Sequence, residues 1–186
     1  EDDKYPSIAD GIRLLQDADL LIAHNGIGFD ALVILKLYGI NLYHQKFFDT
    51  WIASQVLNYK RPHKHGLGGW GEYLKYPKFE FSDFDNYSET MMTYCVRDVK
   101  LNTVIFHRLM KELEVIRTKQ PLISKGLSSE MEAAKFDAYC RHYGWAFNQD
   151  KALILLDKIK SRMSTIEKIV EPKLPAVTRL IDKAPK

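Results

Sequence analysis

The sequence predicts an α/β domain followed by a helical extension. Short apolar runs bounded by turn residues alternate with helical periodicity in the N-terminal third, and long helical patterns dominate the remainder. A chain of 186 residues is long enough for one domain plus a short extension. Only two internal strands are well defined, which is too few for an independent sheet, so we expect the sheet to be incomplete.

The first helix and the first strand are marked by signals at their ends. Ser7, followed three residues later by Asp10, has the pattern of a helix N-terminal capping box. The apolar run at 20–23 predicts a buried strand, and the His-Asn-Gly sequence at 24–26 is a turn signal. The chain is therefore expected to open as helix, strand and turn.

The next three elements continue this alternation. Residues 29–38 have helical periodicity and end at Gly39, a residue typical of helix C-termini. Residues 46–48 are a second strand candidate, and Asp49 is placed to cap a helix over 50–57. Two strands separated by helices favour the α/β class.

The rest of the chain is predicted to be helical apart from its loops. A short helix is expected at 67–74, and a loop rich in aromatic and acidic residues at 76–87. Ser88 begins the strongest helical pattern, which continues to residue 113. Two further helices are expected, one that starts at Ser128 or Ser129 and one that is capped by Asn148, runs to about residue 170 and is ended by Pro172 and Pro175.

Composition excludes several classes of protein. The net charge of +3 is far from the basic excess of a histone-like binder, so any nucleic-acid contact needs a local patch. The two cysteines have no CxxC or Cys/His spacing typical of a zinc site. No apolar run approaches the roughly 18 residues of a membrane span, and residues 1–4 are unlike a signal peptide. We therefore expect a cytoplasmic protein with no membrane association.

Two clusters contain residues suited to chemistry. In the first, residues 24–30, Asp30 lies in the first turn of a helix that follows a strand. A carboxylate there either stabilises the helix dipole or binds a metal at the strand end. In the second, Tyr94 and Asp98 share one helix face because they are four residues apart. A tyrosine there is ordinary packing, whereas a buried aspartate is costly unless it is paired, hydrogen-bonded or metal-bound.

Taken in order, these clusters resemble a known family of nucleases. Asn25-xxx-Phe29-Asp30 resembles the second motif of the DEDD-type 3′→5′ exonucleases, and Tyr94-xxx-Asp98 resembles the third motif in its tyrosine variant. Further segments resemble the version found in bacteriophage-type, family A DNA polymerases, and these are Phe48-Asp49-Thr50, 65–71, 130–134 and 143–148. The resemblance covers the chain from about residue 7 to 170.

The resemblance implies a proofreading 3′→5′ exonuclease with a ribonuclease H-like fold, in which helices flank a mixed sheet. It implies hydrolysis of the 3′-terminal phosphodiester by two divalent ions, Mg²⁺ or Mn²⁺, held by carboxylates. By this resemblance Asp30 and Asp98 are metal ligands, and Tyr94 orients the attacking water. Phe29 packs near the terminal nucleotide, and Asn25 either holds the turn or touches the DNA.

The implied partners are the single-stranded 3′ end of DNA and a polymerase domain of the same parent chain, in the host cytoplasm for a phage protein. The dense basic segment contains Lys60, Arg61 and Lys64. It is either a solvated loop or a loop that contacts phosphates, with Tyr59 and Trp70 as stacking groups.

One neighbour of the first motif has two interpretations. His24 directly precedes Asn25 and follows the apolar run that predicts the first strand. It either approaches the DNA strand in the active site, as a substrate-binding residue, or is a satisfied structural histidine.

One family motif has no match in the sequence. The first motif, Asp-x-Glu at the end of a strand, provides two further carboxylates, whereas Glu1-Asp2-Asp3 has acids at the wrong spacing and no apolar strand before it. We therefore expect an N-terminally truncated exonuclease domain over 1–127, weakly active or inactive. Residues 128–186 are expected to form a helical connector and the start of a polymerase thumb.

Two other functions remain open from the sequence. A catalytically silent nucleic-acid-binding or scaffold module is favoured by the missing motif. A freestanding RNA-trimming exonuclease of the same superfamily is the other alternative, and the thumb-like segment 148–170 argues against it.

Overall fold

The structure, a computed structural model, describes residues 6–76, 79 and 81–174. The predicted α/β class is confirmed, and most of the described residues are helical. In chain order the elements are α1 Ile8–Asp17, β1 Leu21–Ala23, α2 Asp30–Tyr38, β2 Phe47–Asp49, α3 Thr50–Leu57, α4 Leu67–Tyr73, α5 Glu89–Lys119, α6 Ile123–Tyr143, α7 Gln149–Val170 and a 3₁₀ turn Glu171–Lys173.

The chain forms two compact units that divide between Gly144 and Trp145. The first contains both strands and α1 to α6, and the second contains α7. The predicted domain boundary after residue 127 falls inside α6. The acids considered at 1–3, and Pro175, lie outside the described residues. Over the described ranges, no helix is both long enough and apolar enough to cross a membrane.

In the N-terminal third, the helices begin and end at the capping residues that the sequence predicts. Ser7 and Asp10 form a capping box around the first turn of α1. Gly39 ends α2 in the left-handed region with φ of 69°, which glycine adopts at little cost. Asp49 caps α3 by accepting the backbone N–H groups of Trp51 and Ile52. These predictions are confirmed.

Helix α5 is longer than predicted. It begins after the N-cap Ser88, as expected, but continues to Lys119 instead of ending near residue 113. Beyond Leu113 five of its six residues are exposed, and they include an ion pair of 3.3 Å between Arg117 Nη1 and Glu114 Oε2. Hydrophobic periodicity marks only the part of a helix that packs, so it places the end of α5 too early.

Helix α6 begins earlier than predicted. It starts at Ile123, not at Ser128 or Ser129, and no side chain caps its first turn. Because α6 buries Leu127 and Met131, packing against the core outweighs the capping preference of the two serines. The expectation of a serine N-cap here is wrong.

The strands form a parallel pair whose carboxyl ends lie at one edge. Leu21 is opposite Phe47, and Ala23 is opposite Asp49. Helices α3, α5 and α6 pack together beside the pair, around a core whose fully buried side chains include Ile27, Ala53, Trp70, Leu101, Ile105 and Leu109. The turn after β1 and the helix after β2 therefore start side by side, at the edge where α/β folds gather functional residues.

Candidate functional site at the carboxyl end of the sheet

The buried carboxylate of Asp49 holds the turn that follows β1. Its Oδ1 accepts the backbone N–H of Asn25 at 2.9 Å, and its Oδ2 accepts that of Ile27 at 3.1 Å. Oδ1 also accepts the N–H groups of Trp51 at 3.0 Å and Ile52 at 3.4 Å in the first turn of α3. Burial raises the pKa of Asp49, and these four N–H groups oppose that rise. One side chain thus caps a helix and fixes the shape of the motif turn.

The turn itself is compact and needs its glycines. Asn25 is in the left-handed region with φ of 61°. A Cβ on Gly26 would lie 2.2 Å from the Cβ of Ala23, and one on Gly28 would lie 2.7 Å from Oδ1 of Asn25. The turn ends at Phe29, whose side chain is 62% exposed. The main chain is therefore anchored while the phenyl ring faces solvent.

Asp30 is the first residue of α2 and lies beside the sheet edge. Desolvation raises the pKa of its carboxyl group, its own backbone N–H lowers it, and the negative charge of Asp49 raises it further. Its side chain lines a cavity of about 190 Å³ whose other walls are mainly apolar, among them Leu20, Leu21, Ile22, Ala31 and Phe47. Two neighbouring carboxylates at a partly dry edge favour the binding of a proton or a cation.

A chain of hydrogen bonds ties α5 to the same edge. The buried Thr50 hydroxyl donates to Oδ1 of Asn102 at 2.6 Å and lies 3.2 Å from the carbonyl oxygen of Ala23. Nδ2 of Asn102 donates to the carbonyl oxygen of Ile22 at 3.4 Å. Nδ1 of His24 lies 2.9 Å from the Thr50 hydroxyl oxygen. His24 therefore has a structural bond in this network, one of the two roles that the sequence left open for it.

Tyr94 and Asp98 precede Asn102 on one face of α5. The three residues are spaced four apart, so the face that meets the sheet edge at Asn102 also carries Asp98 one turn earlier. Both Tyr94 and Asp98 are half-buried. The ring of Tyr94 stacks on Phe81 with centroids 5.6 Å apart and meets Phe84 edge-on at 5.9 Å. Sequence reasoning missed Asn102, although the same four-residue spacing is a signal that could have found it.

A complete two-ion centre does not form from the described residues. Across 6–76, 79 and 81–174, no three His, Cys, Asp or Glu side chains assemble into a group that could hold a metal. Asp30 and Asp98 are two carboxylates, whereas a pair of bound ions needs more oxygen ligands than these provide. The donor set of these residues alone therefore does not fit the implied pair of ions.

Arg61, predicted as a phosphate contact, is packed into the first unit. Its Nη1 and Nη2 atoms bind the Glu112 carboxylate at 3.2 and 2.5 Å, and its side chain is only 5% exposed. Its Nε donates to the carbonyl oxygen of Ser54 at 3.1 Å, and its guanidinium lies 4.8 Å from the centre of the Trp70 ring. The structure thus gives Arg61 a structural role, and the phosphate contact predicted for it has no geometric support.

The histidines of this loop also point inward. Nδ1 of His65 lies 2.9 Å from Oγ of Ser54, which accepts the Nε1–H of Trp70 at 3.1 Å. The His63 ring stacks on Tyr73 with centroids 4.3 Å apart, and burial lowers its pKa. Trp70 is fully buried, so the expectation that it stacks on a base is wrong.

The remaining predicted contacts of the loop lie on its surface. Lys60 and Lys64 are exposed, and Lys64 has a left-handed backbone with φ of 62°. Tyr59 is 74% exposed, with Nζ of Lys60 lying 5.4 Å from the centre of its ring. These three side chains keep the predicted combination of a stacking ring and two cations.

Comparison of the chain with protein-family models, with curated proteins and with solved structures gives no significant match in any of the three. The assignment of a function therefore depends on the geometry above and on the motifs of the sequence.

Proposed function

We propose that the chain carries the second and third motifs of a DEDD-type proofreading 3′→5′ exonuclease, in the tyrosine variant and of the family A phage polymerase kind, on a ribonuclease H-like fold. The observation that carries the proposal is the bond between Thr50 and Asn102, which ties α5 to the edge where the motif turn begins. It supports a common site for Asp30 and Asp98, because Asp98 precedes Asn102 by one turn on the same face.

Each predicted residue then has a role at a 3′ terminus. The exposed ring of Phe29 packs on the terminal base, and the turn anchored at Asn25 sets its position. The Tyr94 hydroxyl orients the attacking water. Asp30 and Asp98 supply two of the carboxylates for Mg²⁺ or Mn²⁺, and the remaining acidic ligands come from residues outside the described part of the chain.

Removal of the motif acids tests the proposal. We expect the 186-residue chain to shorten single-stranded DNA very slowly, and the chain extended by the residues encoded upstream of Glu1 to do so rapidly in Mg²⁺ if they end a strand with Asp-x-Glu. In the extended protein, Asp98→Asn and Asp30→Asn should each lower the trimming rate by at least about 100-fold, and Tyr94→Phe by roughly 10- to 100-fold.

The control is Glu114→Gln, an exposed acid near the other end of α5, which should leave the rate unchanged. Gel analysis of a 5′-labelled oligonucleotide measures all four variants. Equal trimming by the wild type and Asp98→Asn contradicts the proposal, and so does rapid trimming by the unextended chain. Faster cleavage of RNA than of DNA indicates an RNA-trimming enzyme instead.

A silent nucleic-acid-binding module is the second candidate. It is favoured by the lack of a three-ligand metal group among the described residues. Fluorescence anisotropy with single-stranded DNA in EDTA distinguishes the two functions. Binding that survives Asp30→Asn and Asp98→Asn, combined with no trimming by the extended protein, supports the silent module.

A further inference from the structure

Helix α7 has a regular apolar seam along one face. Six of its apolar residues recur at alternating intervals of four and three, which is the heptad pattern of a coiled coil, and Leu153, Ile154, Leu155 and Ile169 lie outside this pattern. The sequence places Leu156, Met163 and Val170 at the a positions and Ala152, Ile159 and Ile166 at the d positions. Five of the six are exposed, by between 40% and 53%, and Ala152 is half-buried.

The second unit contains nothing that covers this seam within its described residues. Besides α7 they comprise only 145–148 and 171–174. A surface helix normally buries such a stripe, since a single helix of three heptads gains little stability by itself. The seam therefore requires a partner from outside these residues.

The charges beside the seam indicate which partner fits. Arg162 is at a g position and Glu167 is at the following e position, so in a parallel pair each Arg162 meets Glu167 of the other copy, twice per pair. In an antiparallel pair with full overlap, Arg162 meets Arg162 and Lys160 meets Lys160, which is repulsive. Self-complementary charges in one orientation favour a second copy of the same helix, aligned in parallel.

We propose that this chain self-associates through a parallel coiled coil of α7, with a second copy of the chain as the partner. The proposal uses none of the exonuclease motif residues, because none of them lies on α7. It gives 148–170 a different partner from the polymerase thumb that the resemblance implies. Sedimentation equilibrium across the micromolar range tests it on the 186-residue chain. The expected result is a mass that rises with concentration from 21.6 kDa to twice that value.

Seam and charge variants identify the surface and its orientation. Ile159→Asp should weaken association by at least about 100-fold, and Ser161→Asp, on the opposite face, should leave it unchanged. Arg162→Glu alone should weaken it about five- to thirtyfold, and adding Glu167→Arg should restore it. That restoration cannot come from a misfolded variant.

Three results overturn the proposal. The first is a monomer at every concentration. The second is association that survives Ile159→Asp. The third is unchanged association of Arg162→Glu, because in the antiparallel arrangement that change only replaces one like-charge pair by another.

Discussion

Two loops of the first unit are anchored on helix α3, but in different ways. The turn at 24–29 is held through its main chain, because Asp49 accepts two of its backbone N–H groups. The loop at 59–66 is held through its side chains, because Arg61 and His65 bind residues of α3 and α5. The two loops also differ in composition, because 59–66 contains Lys60, Arg61 and Lys64 whereas 24–29 contains no lysine or arginine.

The kind of anchor determines which loop residues stay available to a ligand. Where the main chain is anchored, the side chains of Asn25 and Phe29 remain exposed. Where the side chains themselves anchor the loop, the cation of Arg61 is already neutralised by Glu112. Basic composition alone is therefore a weak predictor of a nucleic-acid contact, because a guanidinium also suits buried ion pairs.

Asp49→Ala should have the largest effect, because it breaks the main-chain anchor. Four N–H groups lose their acceptor, two of them in the cap of α3 and two in the motif turn. We expect a loss of about 3–5 kcal/mol in the free energy of unfolding, measured by urea denaturation. The matched control is Ser7→Ala, which removes a cap and no turn anchor and should cost about 1 kcal/mol. Equal losses for the two variants would mean that Asp49 acts as a cap alone.

These anchors also mark the limit of what the sequence predicts. The cap formed by Asp49 depends on neighbours two and three residues away, so a local pattern finds it. The bond from Asp49 to Ile27 spans 22 residues, and the bond from Arg61 to Glu112 spans 51, so both depend on how the elements pack. Local signals consequently predict the start of α1 and, to within one residue, the bounds of α2 to α4 and both strands. The start of α6 and the role of Arg61 depend on the tertiary structure.

Arg61→Ala should have the second-largest effect, because it breaks the side-chain anchor. Among the described residues, it leaves the partly buried Glu112 with the exposed Arg108, at 3.3 Å, as its remaining ion-pair partner. We expect a loss of about 2–3 kcal/mol, less than for a wholly buried pair because Glu112 keeps 22% of its exposure. Lys60→Ala and Lys64→Ala should change stability by less than about 0.5 kcal/mol.

The same three variants separate anchoring from DNA contact. If the loop binds single-stranded DNA, the logarithm of the binding constant falls linearly with the logarithm of the salt concentration. Each lysine variant should make that slope shallower by about one, and Arg61→Ala should leave it unchanged. If Arg61→Ala is as stable as the wild type and its DNA binding has a shallower salt slope, Arg61 contacts a phosphate, as the sequence predicts.

Asp30→Asn should have the smallest effect on stability, and the size of that effect depends on pH. The pKa of Asp30 is raised in the folded state by desolvation and by Asp49, so the folded protein binds a proton more tightly there than the unfolded chain does. Ionisation of Asp30 therefore costs stability, and this cost is absent well below 3.8, the ordinary pKa of an aspartate, and complete above the raised pKa. Asp30→Asn removes the cost, so it should stabilise the protein at neutral pH and match the wild type in acid.

The response of the melting temperature to a divalent ion tests whether Asp30 is a metal ligand. A cation bound at Asp30 offsets both the desolvation and the repulsion from Asp49, so added Mn²⁺ should raise the melting temperature of the wild type toward that of Asp30→Asn. Asp83→Asn, a change at an exposed acid, should leave the response to Mn²⁺ as it is in the wild type. If the wild type and Asp30→Asn respond equally to the ion, Asp30 is a carboxylate at a helix N-terminus and not a metal ligand, and the exonuclease proposal loses one of its two acids.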